Sequence, residues 1–207
     1  EQPMAAAIGA DLPINEPVGN LVIDIGGGTT ETAVISLGGI VALEAVRVGS
    51  FDIDAAIQSY VRREHGLAIG ERTAEEIKIS IGSAMATSED RDAEVRGRDL
   101  VSGLPKTVVL TSSEIRVAID DVVTQMVNSV IRCLASAPPE LSQDFLTRGM
   151  YLVGGGSMLR GLARRIERDT QVPVNMSTEP LEAVVLGAGH CVENFAALRG
   201  LFMDSRR

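Results

Sequence analysis

Apolar positions change their period several times along the chain, and each change predicts an element. Residues 20–25, 31–37 and 40–48 are short, β-branched apolar runs that read as three sequential strands, with Gly38-Gly39 as a tight hairpin turn between the last two. Ile53, Ile57, Tyr60 and Val61 then recur at helical spacing, which predicts a helix over 51–65 that ends at His65-Gly66. A histidine at that end reads as a surface residue suited to the helix dipole. Thr73-Ala-Glu-Glu76 has the spacing of a capping box and opens a second helix over 73–84. Two candidate strands follow at 92–98 and 104–110, in a polar segment that reads as an insertion outside the main core.

A second capping box, Thr111-Ser-Ser-Glu114, precedes a long apolar face of Ile115, Ile119, Val122, Met126 and Val130, which stops before Pro138-Pro139. Strand 149–153 runs into Gly154-Gly-Gly156 and a helix over 157–170. A strand near 172–175 and a helix from Pro180 to about Leu198 close the pattern. At the opposite end, an Ala-rich helix over 3–10 starts at Pro3 and is ended by the turn-rich 11–19. The alternation makes this an α/β chain.

Composition narrows the function classes. A formal net charge of −9 opposes a surface that tracks phosphates, so no nucleic-acid partner is expected. Cys133 and Cys191 stand far apart with no Cys-x-x-Cys, and both read as core thiols rather than metal ligands or a disulfide. No apolar run reaches the ~18 residues of a membrane span, which makes the cytoplasm the default compartment. The sequence opens on Glu1 in mid-pattern and reads as part of a longer protein.

Chemistry concentrates in Leu21-Val-Ile-Asp-Ile-Gly-Gly-Gly-Thr-Thr30. Glycines let backbone amides reach a polyphosphate, threonine hydroxyls bond its oxygens, and an aspartate beside the turn can hold a hydrated magnesium ion. The spacing fits neither a Walker loop nor a Rossmann turn, and a strand follows instead of a helix. By itself such a run serves equally as a glycine-rich hairpin, and Asp24 as a turn carboxylate. The second cluster, Gly154 to Gly156, offers open amides and a positive helix end, or simply a tight strand-to-helix turn. Gly187-Ala-Gly189 costs helix propensity and implies close packing or close approach to another group.

Taken together these motifs carry a resemblance. Asp24-Ile-Gly-Gly-Gly-Thr-Thr30 resembles the second phosphate motif of the superfamily that holds actin, the Hsp70 chaperones and the sugar kinases, and Val153-Gly-Gly-Gly-Ser-Met-Leu-Arg-Gly-Leu162 resembles its adenosine motif. Within that superfamily the chain is most similar to the MreB-like bacterial actin homologues. The similarity runs through Glu1-Gln-Pro-Met-Ala-Ala-Ala-Ile-Gly9, Ala68-Ile-Gly-Glu-Arg-Thr-Ala-Glu75, Pro138-Pro-Glu-Leu141 and Pro180-Leu-Glu-Ala-Val184.

The resemblance implies an actin-like, ribonuclease H-like second lobe: a mixed sheet flanked by helices, with a small α+β insertion. Residues 1–17 would be a remnant of the first lobe with the connecting helix. Residues 18–65 and 110–207 would form the nucleotide-binding lobe, its last helix returning toward the first lobe, and 66–109 the inserted subdomain. It also implies a cell-shape cytoskeletal protein that binds ATP or ADP with Mg²⁺ and forms filaments with itself or with MreB-type homologues. Cell-wall morphogenesis proteins would be further partners, and any membrane attachment indirect. The alternative is a nucleotide-free module that regulates such filaments.

Residue by residue, Asp24 would organise the Mg²⁺ shell through water, and Gly26, Gly27, Gly28, Thr29 and Thr30 would wrap the phosphates. Gly154, Gly155, Gly156 and Met158 would border the ribose and adenine, although Met158 is as well suited to a core. Glu75 and Lys78, three apart on a helix, would lie over ribose and base, although a solvated pair has the same spacing. Gln2 would position the attacking water with Thr29. MreB-like proteins carry glutamate there, and glutamine can orient water but not take its proton. Asp24-Ile-Gly26 is the one Asp-x-Gly in the sequence, so the first phosphate loop of the two-lobed family is not matched, and weak or no hydrolysis is expected from this chain.

Overall fold

The computed structural model describes residues 1–195. A five-stranded sheet in the order β3-β2-β1-β7-β8 is built from β1 (Asn20–Ile25), β2 (Thr30–Ser36), β3 (Gly39–Val46), β7 (Met150–Val153) and β8 (Val174–Met176). A second sheet of three strands contains β4 (Leu67–Ala68), β5 (Asp92–Asp99) and β6 (Pro105–Thr111). The first three strands are an antiparallel meander, whereas β1–β7 and β7–β8 pair in parallel. That makes the large sheet mixed.

Every residue of β1 is buried, as befits a central strand covered on both faces. One face meets α2 (Ser50–His65) and α4 (Ser112–Ser136); the other meets α1 (Gln2–Gly9) and α7 (Ala183–Glu193). The strand's alternation divides it between two cores. Leu21, Ile23 and Ile25 join the larger cluster, and Val22 joins a smaller one with Ala6, Ala7, Ala33, Ile35, Val153 and Ala183. The larger cluster also takes in Leu67, Ala74, Ile77, Ile81, Val95 and Leu110. Residues 66–109 therefore do not lie outside the main core, because α3 (Glu71–Ile81) and the small sheet share their apolar faces with α2 and α4. Among the described residues no helix is long and apolar enough to cross a membrane.

Local differences from the sequence reading have local causes. A bulge in the β2–β3 ladder between Val34 and Ile35 pairs Ser36 with Gly39, which moves the turn to Leu37-Gly38, both at positive φ (51° and 74°). The Thr73–Glu76 capping box does not form: α3 starts two residues earlier at Glu71 behind Gly70, and Glu76 pairs with Arg72 instead. Helix 157–170 is broken. A 3-10 turn (Gly155–Met158) comes first, Gly161 turns left-handed at φ 75°, and α6 (Leu162–Thr170) begins only then. The short α5 (Ser142–Arg148), whose Asp144 accepts from Gly19 N–H, carries too brief an apolar pattern to be read from sequence. The predicted end of the last helix at Leu198 lies outside the described residues.

Cys133 is buried, donates to the Thr32 carbonyl, and is pushed up to about 11 by burial. Cys191 is not a core thiol: it is half-exposed on α7, beside α1. His65 is no free surface residue either, since its Nε2 lies 3.0 Å from Glu114 Oε1. The Thr111–Glu114 box does form; burial raises the Glu114 carboxyl, but the Thr111 amide and hydroxyl and then His65 outweigh it and hold the group below its ordinary range.

Two glycines set the α1–α7 crossing. A Cβ on Gly187 would overlap the Ala5 carbonyl oxygen, and one on Gly9 would overlap that of Ala183, so the helices meet backbone to backbone. Gly187→Val should destabilise the fold by about 1–3 kcal/mol, the range for overpacking, in urea unfolding. Wild-type stability in that variant would mean the crossing is looser in solution. Thr111→Ala should cost about 1 kcal/mol through loss of the α4 cap, read the same way.

Candidate functional site

The site begins with two strands that end together. β1 and β7 run parallel with Leu21 opposite Met150 and Asp24 opposite Val153, so the Gly26–Thr29 turn and the Gly154–Met158 turn leave the sheet side by side. Contact between them admits no side chains. A Cβ on Gly154, which sits at φ 83°, would overlap the Asp24 carboxylate and the Ile25 carbonyl; one on Gly156 would overlap Ile25 and lie 3.3 Å from the Gly26 carbonyl oxygen. Glycine at 154 is thus required twice over, by conformation and by space.

The first turn is braced from behind and open in front. Gly26 N–H donates to the Thr29 carbonyl at 2.9 Å, and the carbonyls of Gly26 and Gly27 accept from Ser50 and Phe51 N–H at 3.0 and 2.8 Å. These are the first amides of α2, which a helix leaves without intrahelical partners. Phe51, 68% exposed, lays its ring against Gly27, where a Cβ would come within 2.6 Å of it. The amides of Gly27, Gly28 and Thr29 donate to nothing among the described residues, and a Cβ on Gly28 would meet open space.

Asp24 lies beneath this turn, 2% exposed. Its Oδ2 accepts from Gln2 Nε2 at 2.8 Å, a contact that α1 makes possible by placing its first residue over the sheet. Burial pushes the Asp24 carboxyl above its ordinary range, and the Gln2 bond draws it partly back. Glu31, its cross-strand partner, is raised by burial and then by the Asp24 charge. A cation beside Asp24 would relieve both effects.

Other residues read from the sequence have less freedom. Thr30 is fully buried and its hydroxyl donates to the Val48 carbonyl at 2.8 Å, so it ties β2 to the segment that leads into α2. Thr29 is half-exposed, with its hydroxyl near Gly26. The second glycine turn leads into one 3-10 turn rather than an α-helix, which removes the helix end expected there. Its opening amides, Gly155 and Gly156, remain as donors, and Ser157 closes the turn by donating to the Gly154 carbonyl at 2.6 Å. Met158 is 56% exposed, so it is not core.

A cleft of about 380 Å³ opens beside that turn, lined by Gly155, Gly156, Met158, Leu159, Arg160 and Leu181 on one side and by Ser50, Ile53, Glu75, Lys78 and Ile79 on the other. Glu75 is exposed, with no hydrogen bond or ion pair among the described residues. Lys78 is engaged with Asp54 and Ser50. Arg160 donates from Nε to the Gly82 carbonyl while its buried Nη2 has no partner among the described residues. Sequence reasoning passed over Ser50, Asp54, Arg160 and Leu181. Asp54 left a trace: it is a carboxylate on the buried side of α2 with Ile53, Ile57 and Val61. Leu181 is held there because Pro180, next to it, accepts the Gly154 N–H.

Comparison with known proteins gives a consistent result. The family model described as MreB/Mbl protein matches residues 1–200. The chain is 50% identical over 193 residues to the cell shape-determining protein MreB of Escherichia coli (strain K12), covering 93% of this chain and 56% of that protein. It is 41% identical over 198 residues to the cell shape-determining protein Mbl of Bacillus subtilis (strain 168), covering 96% and 60%. Among solved structures, MreB 5 of Spiroplasma citri bound to AMPPNP superposes with a TM-score of 0.91 at 36% identity, over 97% of this chain and 60% of that one. The chain thus spans little more than half the length of these relatives.

The raised Asp24 carboxyl gives a direct check. Its proton is held more tightly folded than unfolded, so its contribution to stability is complete below the unfolded pKa and is lost as pH rises through the folded one. In carboxyl carbon NMR the Asp24 midpoint should lie above the ordinary aspartate range and move higher in Gln2→Leu. An unmoved midpoint would show that Gln2 does not bond Asp24 in solution.

Proposed function

Because the chain belongs to the MreB/Mbl family, whose actin-like fold it shares, we propose that it acts as the second lobe of a cytoskeletal, cell-shape-determining protein that binds ATP or ADP with Mg²⁺ and assembles into filaments. One observation carries the reading: two glycine turns at the ends of adjacent parallel strands, packed too closely for any side chain and leaving amides unused. Ligands in sheets with parallel strands bind beyond the carboxyl ends of those strands, and unused amides beside a carboxylate suit a metal-bound polyphosphate.

The residues fit that ligand. Gly27, Gly28 and Thr29 would donate their amides to phosphate oxygens, and Asp24 would accept from waters of the magnesium shell. Gly155, Gly156, Met158 and Leu181 form an apolar and backbone wall for the base, with Glu75 opposite as an acceptor for ribose or base hydrogens. The domain limits follow the same reading: 18–65 and 110–207 hold the nucleotide, 66–109 supplies Glu75, and 1–17 supplies Gln2. Bound magnesium supplies charge neutralisation at the phosphates. Gln2 would orient a water without accepting its proton, which makes turnover by this chain weak. Its partners would be further copies of itself or other MreB-type chains, with any membrane contact made through the polymer.

Titration calorimetry of the chain with Mg·ATP should give saturable binding that is lost in Gly154→Val, the variant's fold being checked by circular dichroism. Pelleting should depend on nucleotide. Absence of both binding and pelleting would overturn the reading in favour of a nucleotide-free module that regulates filaments.

A further inference from the structure

Lys78 lies at the cleft, yet its ammonium is fully used by the protein. Nζ donates to Asp54 Oδ2 at 2.9 Å and to Ser50 Oγ at 3.0 Å, and the Ser50 carbonyl oxygen lies at 3.4 Å. An ammonium has three donors and no acceptor, so a ligand reaching it must displace one of these oxygens. The pair is also buried, with side chains 11% and 10% exposed. Removing ions from water costs more than their attraction readily returns, so a buried pair signals a requirement for position more than for stability.

The position it holds is that of Ser50. Ser50 opens α2, and its N–H supports the Gly26 carbonyl while the next amide, Phe51, supports that of Gly27. At the N-cap, Gly49 N–H donates to Asp52 Oδ2 at 2.8 Å, and a Cβ on Gly49 would overlap the Gly27 carbonyl, so helix start and turn cannot shift independently. Lys78 comes from α3, which packs beside the small sheet, whereas Asp54 and Ser50 come from α2. The contact therefore bridges the residues around the small sheet to the glycine turn of the large one. Burial raises the Asp54 carboxyl while Lys78 draws it down, and Asp54 Oδ1 is left buried without a partner, so this carboxylate is committed to the lysine.

We infer that Asp54 and Lys78 are positioning residues for the phosphate turn: Asp54 holds the Lys78 ammonium, the ammonium holds Ser50, and Ser50 holds Gly26 and Gly27. Glu75 is then the member of the Glu75–Lys78 pair left to meet a ligand. The consequence for nucleotide affinity rests on the function proposed above; the tie itself does not.

The test uses the full chain and the variants Asp54→Asn, Lys78→Met and the double Asp54→Leu/Lys78→Met, which removes both charges and leaves apolar groups. In ligand-free protein, hydrogen exchange at the Ser50 and Phe51 amides should accelerate about tenfold or more in all three, while Ile119 and Val123 in α4 keep wild-type protection. Affinities for Mg·ATP and Mg·GTP should fall by a common factor of about ten, leaving their ratio unchanged. Unchanged exchange at Ser50 and Phe51 in the double variant overturns the tie. A changed ATP/GTP ratio in Lys78→Met overturns the assignment of Lys78 as a positioning residue, because its side chain would then meet the base directly. If wild-type protein binds neither nucleotide, the proposed function fails, and the exchange measurement still decides the tie.

Discussion

Parallel hydrogen bonding between β1 and β7 carries both chains to the same edge of the sheet, Asp24 level with Val153. Strands joined by a hairpin would end at opposite edges, with their glycine turns a strand length apart. Here more than a hundred residues intervene, and the crossover they form returns β7 in the same direction as β1. Only then do Gly154 and Gly156 come to rest on Asp24, Ile25 and Gly26. The rest of the site is arranged around that contact. α2 props the first turn from behind, α1 lays Gln2 on the carboxylate, and Pro180 receives the amide of Gly154.

Much of this was legible because the motifs announce local geometry. Asp24 followed by glycines and threonines marks a strand that breaks into a turn, and Thr111 with Glu114 marks a helix start; both have the backbone form their residues dictate. The two helices on one face of the large sheet, α2 and α4, were legible from their apolar spacing. The actin-like fold implied by the resemblance is the fold of the chain. Where reading failed, distant groups had competed for the same side chain. Arg72 takes Glu76 from its cap; in the same way, bonds invisible in the sequence occupy the Thr30 hydroxyl, through Val48, and the Lys78 ammonium, through Asp54 and Ser50.

Other failures concern backbone and burial. Gly161 adopts a left-handed conformation that interrupts a helical pattern its neighbours support, and glycine's permissiveness gives no warning of which conformation it will take. Cys191 is apolar enough for a core but sits half-exposed on α7. The segment around the small sheet is largely polar in sequence, which made it look separate, yet Leu67, Val95 and Leu110 of the sheet and Ile77 and Ile81 of α3 supply enough inward apolar surface to merge with the main cluster. A one-dimensional pattern shows that a residue is apolar, not which layer it meets.

The two faces of the large sheet are unlike in kind. The α2–α4 side is filled by many branched and long aliphatic side chains, whereas the smaller α1–α7 cluster sets a few of these, Val22, Ile35 and Val153, against helices that contribute alanines and glycines and let backbones touch. Close approach gives dispersion and exact fit but little apolar area, and so a weaker hydrophobic contribution. A sub-global opening is therefore expected first on the α1–α7 side. Since α1 carries Gln2, such an opening would separate the Gln2 amide from the Asp24 carboxylate while the two glycine turns stay packed on each other, so that one contact of the buried carboxylate could be made and broken without unfolding the rest.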